Sequence, residues 1–374
     1  MRSQHGPRVA VVGAGLGGLA LARVLQLHGR SVTVLEREPA RGARPQGGSL
    51  DIHPDTGQTA LRAAGLLDRF RALSRPEGQE WRRVDPVTAL PLPGPGHDEE
   101  GQREPGDSPE IDRGQLRGLL LESLTEGTVR WDSAVTGATP LGDGTWRLHL
   151  ADGGTEDADL VVGADGAWSR LRPALSDAVP GYTGVTFVET GLDDCDIRHP
   201  ALARTVGAGT LLAASDGKAL LAQRNGDGHI RVYAAFRAPR DWRSAAGVRA
   251  DDAAAVRARL LKHFDGWDEG LLRLLRENDS GFVDRPVSVL PVPHTWEHVP
   301  GITLLGDAAH LMPPVGLGAN LAMLDGADLA HALVREPGVA EAVRAYEDRM
   351  LPRSARAARE CLDTLDHLIP PTDS

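Results

Sequence analysis

The sequence predicts an α/β fold: a Rossmann-like nucleotide-binding domain, an inserted and mostly antiparallel β-sheet, and a long C-terminal helix. Three observations carry this. A buried strand runs into Gly13-Ala14-Gly15-Leu16-Gly17-Gly18 and then a helix. Two later apolar runs, Leu160–Val162 and Ile302–Leu305, each end in small residues and an aspartate. Between them, from Thr186 to Phe236, the pattern changes to short strands punctuated by glycine turns.

Each element follows from its residues. Arg8–Val12 reads as a buried strand, Leu16–His28 as a helix and Ser31–Glu36 as a second strand. Parallel strands buried on both faces read as apolar runs, and a helix supplies the crossover. Gly94–Pro109 is rich in Pro, Gly and acids and reads as a solvated loop. Arg113–Leu124 has the spacing of an amphipathic helix, and Thr128–Trp131 and Trp146–Leu150 that of strands. In the inserted region Asn225-Gly226-Asp227-Gly228 is a hairpin turn signal. Helices are expected at Asp252–Phe264 and Glu269–Arg276, then again at Asn320–Val334 and Val339–His367. The nucleotide domain is thus expected from residues 1–75, 105–180 and 285–335. The inserted domain takes 76–104 and 181–284, and the C-terminal helix 336–374.

Composition narrows the function. With 41% hydrophobic and 25% charged residues in 374, the chain has an ordinary globular balance. A net charge of −11 argues against attraction to nucleic acid or an anionic membrane surface. Two cysteines, Cys195 and Cys361, make no disulfide framework and no metal spacing, which suits a reducing cytoplasm. No apolar run approaches the roughly 18 residues of a membrane span.

The glycine motif has a mechanical reading. Gly13 permits a tight turn, Gly15 lets the backbone approach a pyrophosphate, and Gly18 lets helix and strand pack closely. The helix N-terminus offers unpaired N–H groups to the phosphates. Glu36, ending the second strand, can accept hydrogen bonds from a ribose. FAD and NAD share this element, so it does not choose between them. Asp165 and Asp307 stand just past the C-terminal ends of their strands, where a ligand's hydroxyls are met. Either alone could equally cap the following helix; both beside a glycine motif point to a dinucleotide site. Asp307 and His310 could suggest a metal pair, but no further ligand cluster accompanies them.

These motifs, with Gly47-Gly48-Ser49-Leu50-Asp51-Ile52-His53, Pro109-Glu110-Ile111-Asp112-Arg113 through Arg117, and Gly306-Asp307-Ala308-Ala309-His310-Leu311-Met312-Pro313-Pro314, resemble the group A flavin monooxygenases. That is the family of para-hydroxybenzoate hydroxylase, and the likeness extends most to the tetracycline-inactivating members. The resemblance implies FAD held along the whole cofactor domain, with NADPH as a transient visitor. Glu36 would hold the adenosine ribose and Arg37 lie beside the adenine. Arg117 and Asp307 would contact the pyrophosphate and ribityl region. Gly48 and Asp51 would lie near the flavin ring, and Gly316, Leu317, Gly318, Ala319 and Asn320 would cover its edge. Arg44 matches an arginine of nicotinamide-cofactor contact, and Asp165 a motif tied to both nucleotides. The chain departs from the family after Pro314, where the run is one residue shorter and Leu317 replaces a glutamine. It departs again in the inserted sheet, where Arg231 stands for a histidine and Leu221 for a phenylalanine.

The inserted sheet also reads on its own terms. Alternation puts Ile230, Val232 and Phe236 on a core face and His229, Arg231 and Tyr233 on the other, facing either solvent or a pocket. With Leu221, Arg231 and Tyr233 are the expected substrate wall. The resemblance implies a monooxygenase cycle in which oxygen adds at the flavin C4a position and passes to an electron-rich carbon. Asn320, opening a helix after Gly316 and Gly318, would present N–H groups to the flavin N1–C2 edge. Partners are then a small molecule and O2, and the chain a monomer or weak dimer. Two other readings share the cofactor: an oxidase or reductase that inserts no oxygen, and a protein whose structural flavin shapes a binding or cyclisation template.

Overall fold

In the computed structural model, residues 6–43, 47–92, 107–249 and 251–371 are described. The apolar runs Val9–Val12 and Leu160–Gly163 are buried along their length and form the middle of a five-stranded parallel sheet. Its order is Ile302–Leu304, Leu160–Gly163, Val9–Val12, Val32–Leu35, Val129–Arg130. Val12 lies opposite Gly163 on one side and Leu35 on the other, and Gly163 opposite Leu304. The register therefore brings Gly13, Glu36, Asp165 and Asp307 out at one edge of the sheet.

The helix Leu16–Leu27 packs against the helix Gly318–Arg335, and glycines decide how closely. A Cβ on Gly17 would stand 2.5 Å from the Ala322 carbonyl oxygen, and one on Gly326 2.3 Å from that of Gly17. Backbone touches backbone there, which only glycine permits.

The second sheet has six strands, in the order Val283–Val289, Gly181–Leu192, Ile230–Arg237, Lys218–Arg224, Thr210–Ser215, Trp81–Val84. Only the last pair is parallel. Ile230, Val232, Ala234 and Phe236 are buried against Val256, Leu260, Leu271 and Leu275, so the expected core face is the observed one. On the opposite face Leu365 and Ile369, at the end of the helix Val339–Leu368, pack against Phe187, Ala235, Leu221 and Tyr233.

The expected helices are all present; Glu269–Arg276 keeps its expected ends, and the others shift by one to two residues, for example Ala253–His263 and Arg113–Glu122. The hairpin turn is closed by the Asn225 N–H on the His229 carbonyl at 2.8 Å, with Asp227 and Gly228 at positive φ. Of the expected loop Gly94–Pro109, residues up to 106 lie outside the described ones. The strand Val283–Val289 joins the large sheet, beyond residue 284. Two differences are instructive. The strand expected only from Thr186 begins at Gly181, across a register shift between Tyr182 and Thr186. The sequence reading also missed an antiparallel ladder of Ser49–Asp51 with Glu110–Asp112. Three polar-rich residues carry no period, so such strands exist only through their partner.

Candidate active site

The glycine turn is built by backbone contact. Gly13 has φ +109°, and a Cβ on it would lie 2.3 Å from the Ala164 carbonyl oxygen; one on Gly18 would lie 2.3 Å from the Gly13 oxygen. At Gly15 a Cβ would meet nothing within 4 Å. Two glycines therefore serve the fold, and the third leaves an open face for a ligand. The Glu36 carboxylate accepts the Ala14 N–H at 2.7 Å and the Glu38 N–H at 3.0 Å, so it is already oriented at the turn. Arg117, 5% exposed, donates through Nε to the Ala14 carbonyl at 2.9 Å and lies 3.2 Å from Glu38. It braces the turn from beneath. Arg37 is exposed beside Glu36, and Arg44 lies outside the described residues.

At the other end of the sheet edge, Gly306 (φ +59°) turns the chain so that Asp307 opens a short helix. Buried Arg172 gathers the carbonyls of Ala308 (2.9 Å), Ala167 (2.8 Å) and Asp307 (3.3 Å), tying the Asp165 loop to the Asp307 loop. The Asp165 Oδ2 accepts the Arg170 N–H at 2.6 Å, while its Oδ1 is buried with no hydrogen-bond partner among the described residues. Burial pushes this carboxyl up from its ordinary value.

The long helix begins at Gly318, with Leu317 as its cap, rather than at the expected Asn320. Asn320 sits in the first turn, 1% exposed, with its side chain turned inward. Its amide donates to the Asp51 carbonyl at 2.8 Å and the Gly316 carbonyl at 3.2 Å, and accepts the His53 N–H at 2.9 Å. The Asn320 side chain thus closes the turn against the Asp51 segment. The N–H groups of Gly318, Ala319 and Asn320 have no carbonyl four residues back within the helix, and the dipole's positive end lies there. Asp51 pairs with His53 at 2.7 Å and faces Gly316, whose Cβ would stand 3.6 Å from it. Leu317 packs with Met312, Leu321 and Cys361 of an apolar cluster under the C-terminal helix.

The sequence reading missed what lies beneath. Asp325 is fully buried and holds the Gly306 N–H (3.0 Å), His310 Nε2 (2.6 Å) and Arg353 Nη2 (2.8 Å). Arg353 also pairs with Asp328 at 2.7 Å. Burial would lower His310, but the Asp325 carboxylate raises it overall; burial would raise Asp325, but His310 and Arg353 hold it low. His310 is a partner of Asp325, and among the described residues no group of three or more His, Cys, Asp or Glu could hold a metal ion. The signal was legible in principle: His310 and Asp325 are polar residues inside otherwise apolar, small-residue stretches.

On the large sheet, Leu221, Tyr233 and Glu189 are cross-strand neighbours. Arg231 pairs with Glu189, whose second oxygen takes Arg285 at 2.7 Å. The Arg231 side chain is 18% exposed, so it does not face bulk solvent. A Cβ on Gly47 would lie 2.6 Å from its Nη1, and one on Gly48 3.7 Å from the Tyr233 hydroxyl. Arg231 and Tyr233 therefore confront the Gly47–Ser49 segment, and Ser49 donates its N–H to Gln223 at 3.3 Å. Burial pushes the Tyr233 phenol up to about 12. His229 pairs with Asp193 instead of joining them. Next to this junction Ser49 donates to buried Glu110, whose carboxyl burial pushes up to about 7. A separate surface groove of about 560 Å³ is lined by Arg75, Arg204, Arg224 and the hairpin, and by none of the groups above.

The cradle fits a flavin dinucleotide: an open Gly15 face, the acid Glu36 oriented at the end of the second strand, an orphaned Asp165 oxygen and a helix N-terminus at the opposite end. Residues 7–361 match the family described as FAD binding domain. The chain is 33% identical to the monooxygenase asqM of Emericella nidulans, over 90% of this chain and 85% of that one. It is 31% identical to the 3-amino-4-hydroxybenzoate 2-monooxygenase PtnB3 of Streptomyces platensis, over 94% and 86%. Its fold matches Klebsiella pneumoniae HpxO complexed with FAD (R204Q form), TM-score 0.79 at 21% identity over 97% and 90% of the chains. It also matches the tetracycline destructase Tet(51), TM-score 0.70 at 20% identity over 98% and 92%. The chain belongs to this FAD-binding family and is an FAD-dependent monooxygenase.

Proposed function

We propose that the protein hydroxylates a flat, electron-rich ring system, an aromatic or polyketide-like phenol, with NADPH as reductant and O2 as the oxygen source. When bound, FAD accepts the hydride and activates oxygen. The chain's residues do the rest. Glu36, Arg117, Asp165 and Asp307 hold the dinucleotide. The N–H groups of Gly318, Ala319 and Asn320 stabilise negative charge at the ring edge nearest them. Asp51 and Gly48 border the ring, and Leu221, Arg231 and Tyr233 form the substrate wall.

One observation carries the substrate reading: two arginines, Arg231 and Arg285, share the single carboxylate of Glu189. The cluster keeps a net positive charge at a half-buried wall facing Gly47 and Gly48. A phenolate or enolate placed there is oriented, and its ring carbon becomes a better target for electrophilic oxygen. Tyr233 stays protonated at neutral pH and can stack on the ring or donate to it. That a relative's name specifies an aminohydroxybenzoate supports the same class. Both cysteines are buried and free, which suits work in a reducing cytoplasm. Among the described residues no helix is long and apolar enough to cross a membrane.

The test is turnover under labelled dioxygen with NADPH across a panel of phenols and enolised polyketides. One label atom per product molecule is the expected result. NADPH consumption that yields only peroxide with every compound would make the protein an oxidase, and no flavin reduction at all would leave a structural cofactor.

A further inference from the structure

The face that carries Arg231 and Tyr233 continues across the large sheet to its outer strand, Trp81–Val84. The register sets out two rows. Arg231 lies opposite Gln223, Gln223 opposite Thr210 and Thr210 opposite Trp81. Tyr233 lies opposite Leu221, Leu221 opposite Leu212 and Leu212 opposite Arg83. Residues opposed in this way share a face, and alternate residues along a strand change face. The other face of the outer strand is accounted for. Val84 is buried in the core cluster, and Arg82 donates to the Arg204 and Thr205 carbonyls at 2.6 and 3.0 Å. Trp81 and Arg83 therefore stand on the side of Arg231 and Tyr233.

Two boundaries confine this strip. On one side Leu365 and Ile369 pack on Phe187, Ala219 and Ala235. On the other, Gly47 and Gly48 meet Arg231 and Tyr233. Between them exposure rises toward the outer strand. Leu221 and Leu212 are half-buried, Arg83 is exposed and Trp81 is 47% exposed. Leu92, whose N–H donates to the Arg83 carbonyl at 2.8 Å, is 37% exposed next to them. An indole left in water forgoes one of the largest burial gains available to a side chain. Arg82 pairs with Glu80, whereas Arg83 has no carboxylate within ion-pair distance among the described residues.

An uncovered indole and an unanswered cation at the end of the strip suit a flat group that bears negative charge. We propose that Trp81 and Arg83 select a two-ended substrate: a reacting ring against Arg231 and Tyr233, and a second aromatic ring stacked on Trp81 with its carboxylate on Arg83. Three inter-strand steps separate the two ends, about 14 Å, which no one-ring phenol spans. The indole supplies area and stacking, and the guanidinium a planar fork that matches a carboxylate. This rests on the reading that Leu221, Arg231 and Tyr233 form the substrate wall, and it adds a length and a charge to the substrate class.

The experiment uses the FAD-loaded protein and the variants Trp81→Ala, Trp81→Phe and Arg83→Gln. The probes are a phenol alone and the same phenol joined to a benzoate ring by spacers of increasing length. Binding is followed by calorimetry, and turnover by NADPH consumption and product. In the wild type the joined compounds should bind more tightly than the phenol, best when their ends lie about 14 Å apart. Trp81→Ala should raise KM and Kd for these by about tenfold, and Trp81→Phe by much less. Arg83→Gln should raise them two- to fivefold, a loss that shrinks at high salt. For the one-ring phenol, kcat, KM and FAD content should hold in every variant. Equal affinity of the wild type for short and long compounds overturns the proposal, and so does a Trp81→Ala variant that weakens both alike. If no compound is turned over, the hydroxylation reading falls. In that case calorimetric binding of the long compounds that weakens in Trp81→Ala still supports the second subsite, and unchanged or absent binding overturns it.

Discussion

At the turn after Val12 the missing side chains shape the cradle; on the sheet that carries Arg231, in the function proposed above, the side chains themselves would make the substrate wall. At Gly13 and Gly18 a Cβ would strike backbone at 2.3 Å, whereas at Gly15 it would meet nothing within 4 Å, which leaves room for a ligand. Arg231, Glu189 and Arg285 act only because three strands place them together. A backbone-built site tolerates little substitution. A side-chain-built wall can change specificity while the fold persists, which suits a family whose members carry names for different aromatic substrates.

Mutations that strain this contrast should differ in size. Gly13→Ala combines a positive φ with backbone overlap, and is expected to cost on the order of 4–5 kcal/mol and most of the bound FAD. Gly15→Ala should leave the melting temperature of the FAD-free chain almost unchanged while lowering FAD affinity at least tenfold. Equal thermal losses in the two would break the division between fold glycines and ligand glycine.

Asp325→Asn comes next. It leaves Arg353 and His310 without their buried counter-charge and slackens the Gly306 N–H. A loss of about 3 kcal/mol in urea unfolding is expected. Flavin content should fall as well, although Asp325 touches no cofactor position. If Arg353→Met, which removes the charge from the other side, costs nothing, the C-terminal helix is not part of the cofactor site.

Glu110 gives an effect with a definite sign. Its folded value of about 7 stands above the ordinary 4.5, so the folded state holds more protons between those values. Stability from this group is therefore full below about pH 4.5 and lost as pH rises to about 7. Glu110→Gln should remove that decline, leaving the variant on the order of 2–3 kcal/mol better off above pH 7 relative to its position at pH 4.5. Parallel melting curves from pH 5 to 8 would refute it.

Arg231→Ala should change stability by only about 1 kcal/mol, because Glu189 keeps Arg285. Its effect should instead be on KM, raised about tenfold, or on coupling of NADPH oxidation to product, with FAD content constant. Normal turnover would reduce the strand Ile230–Arg237 to scaffold.

Much of the cofactor end was legible because its signals are local. A four-residue apolar strand, glycines at fixed offsets and a terminal acid lie within about thirty residues of each other, and their roles follow from backbone geometry. The core face of Ile230, Val232 and Phe236 was legible from alternation alone. Asn320 was singled out as a helix opener, and it lies in the first turn of a helix that begins at Gly318. Whether its amide turns toward ligand or toward Asp51 and Gly316 is settled by a segment 269 residues away. The ladder of Ser49–Asp51 with Glu110–Asp112 and the Asp325–Arg353 pair escaped for the same reason.

By itself the sequence determined the fold class, the dinucleotide cradle and the edge from which Glu36, Asp165 and Asp307 emerge, because strand periodicity and glycine sterics act over neighbouring residues. Only the tertiary structure decided which charges meet. It gave Arg231 and Arg285 one carboxylate, buried His310 on Asp325, raised Glu110 and left Trp81 uncovered. Ion pairing and desolvation depend on which distant segments pack together, and no local pattern records that.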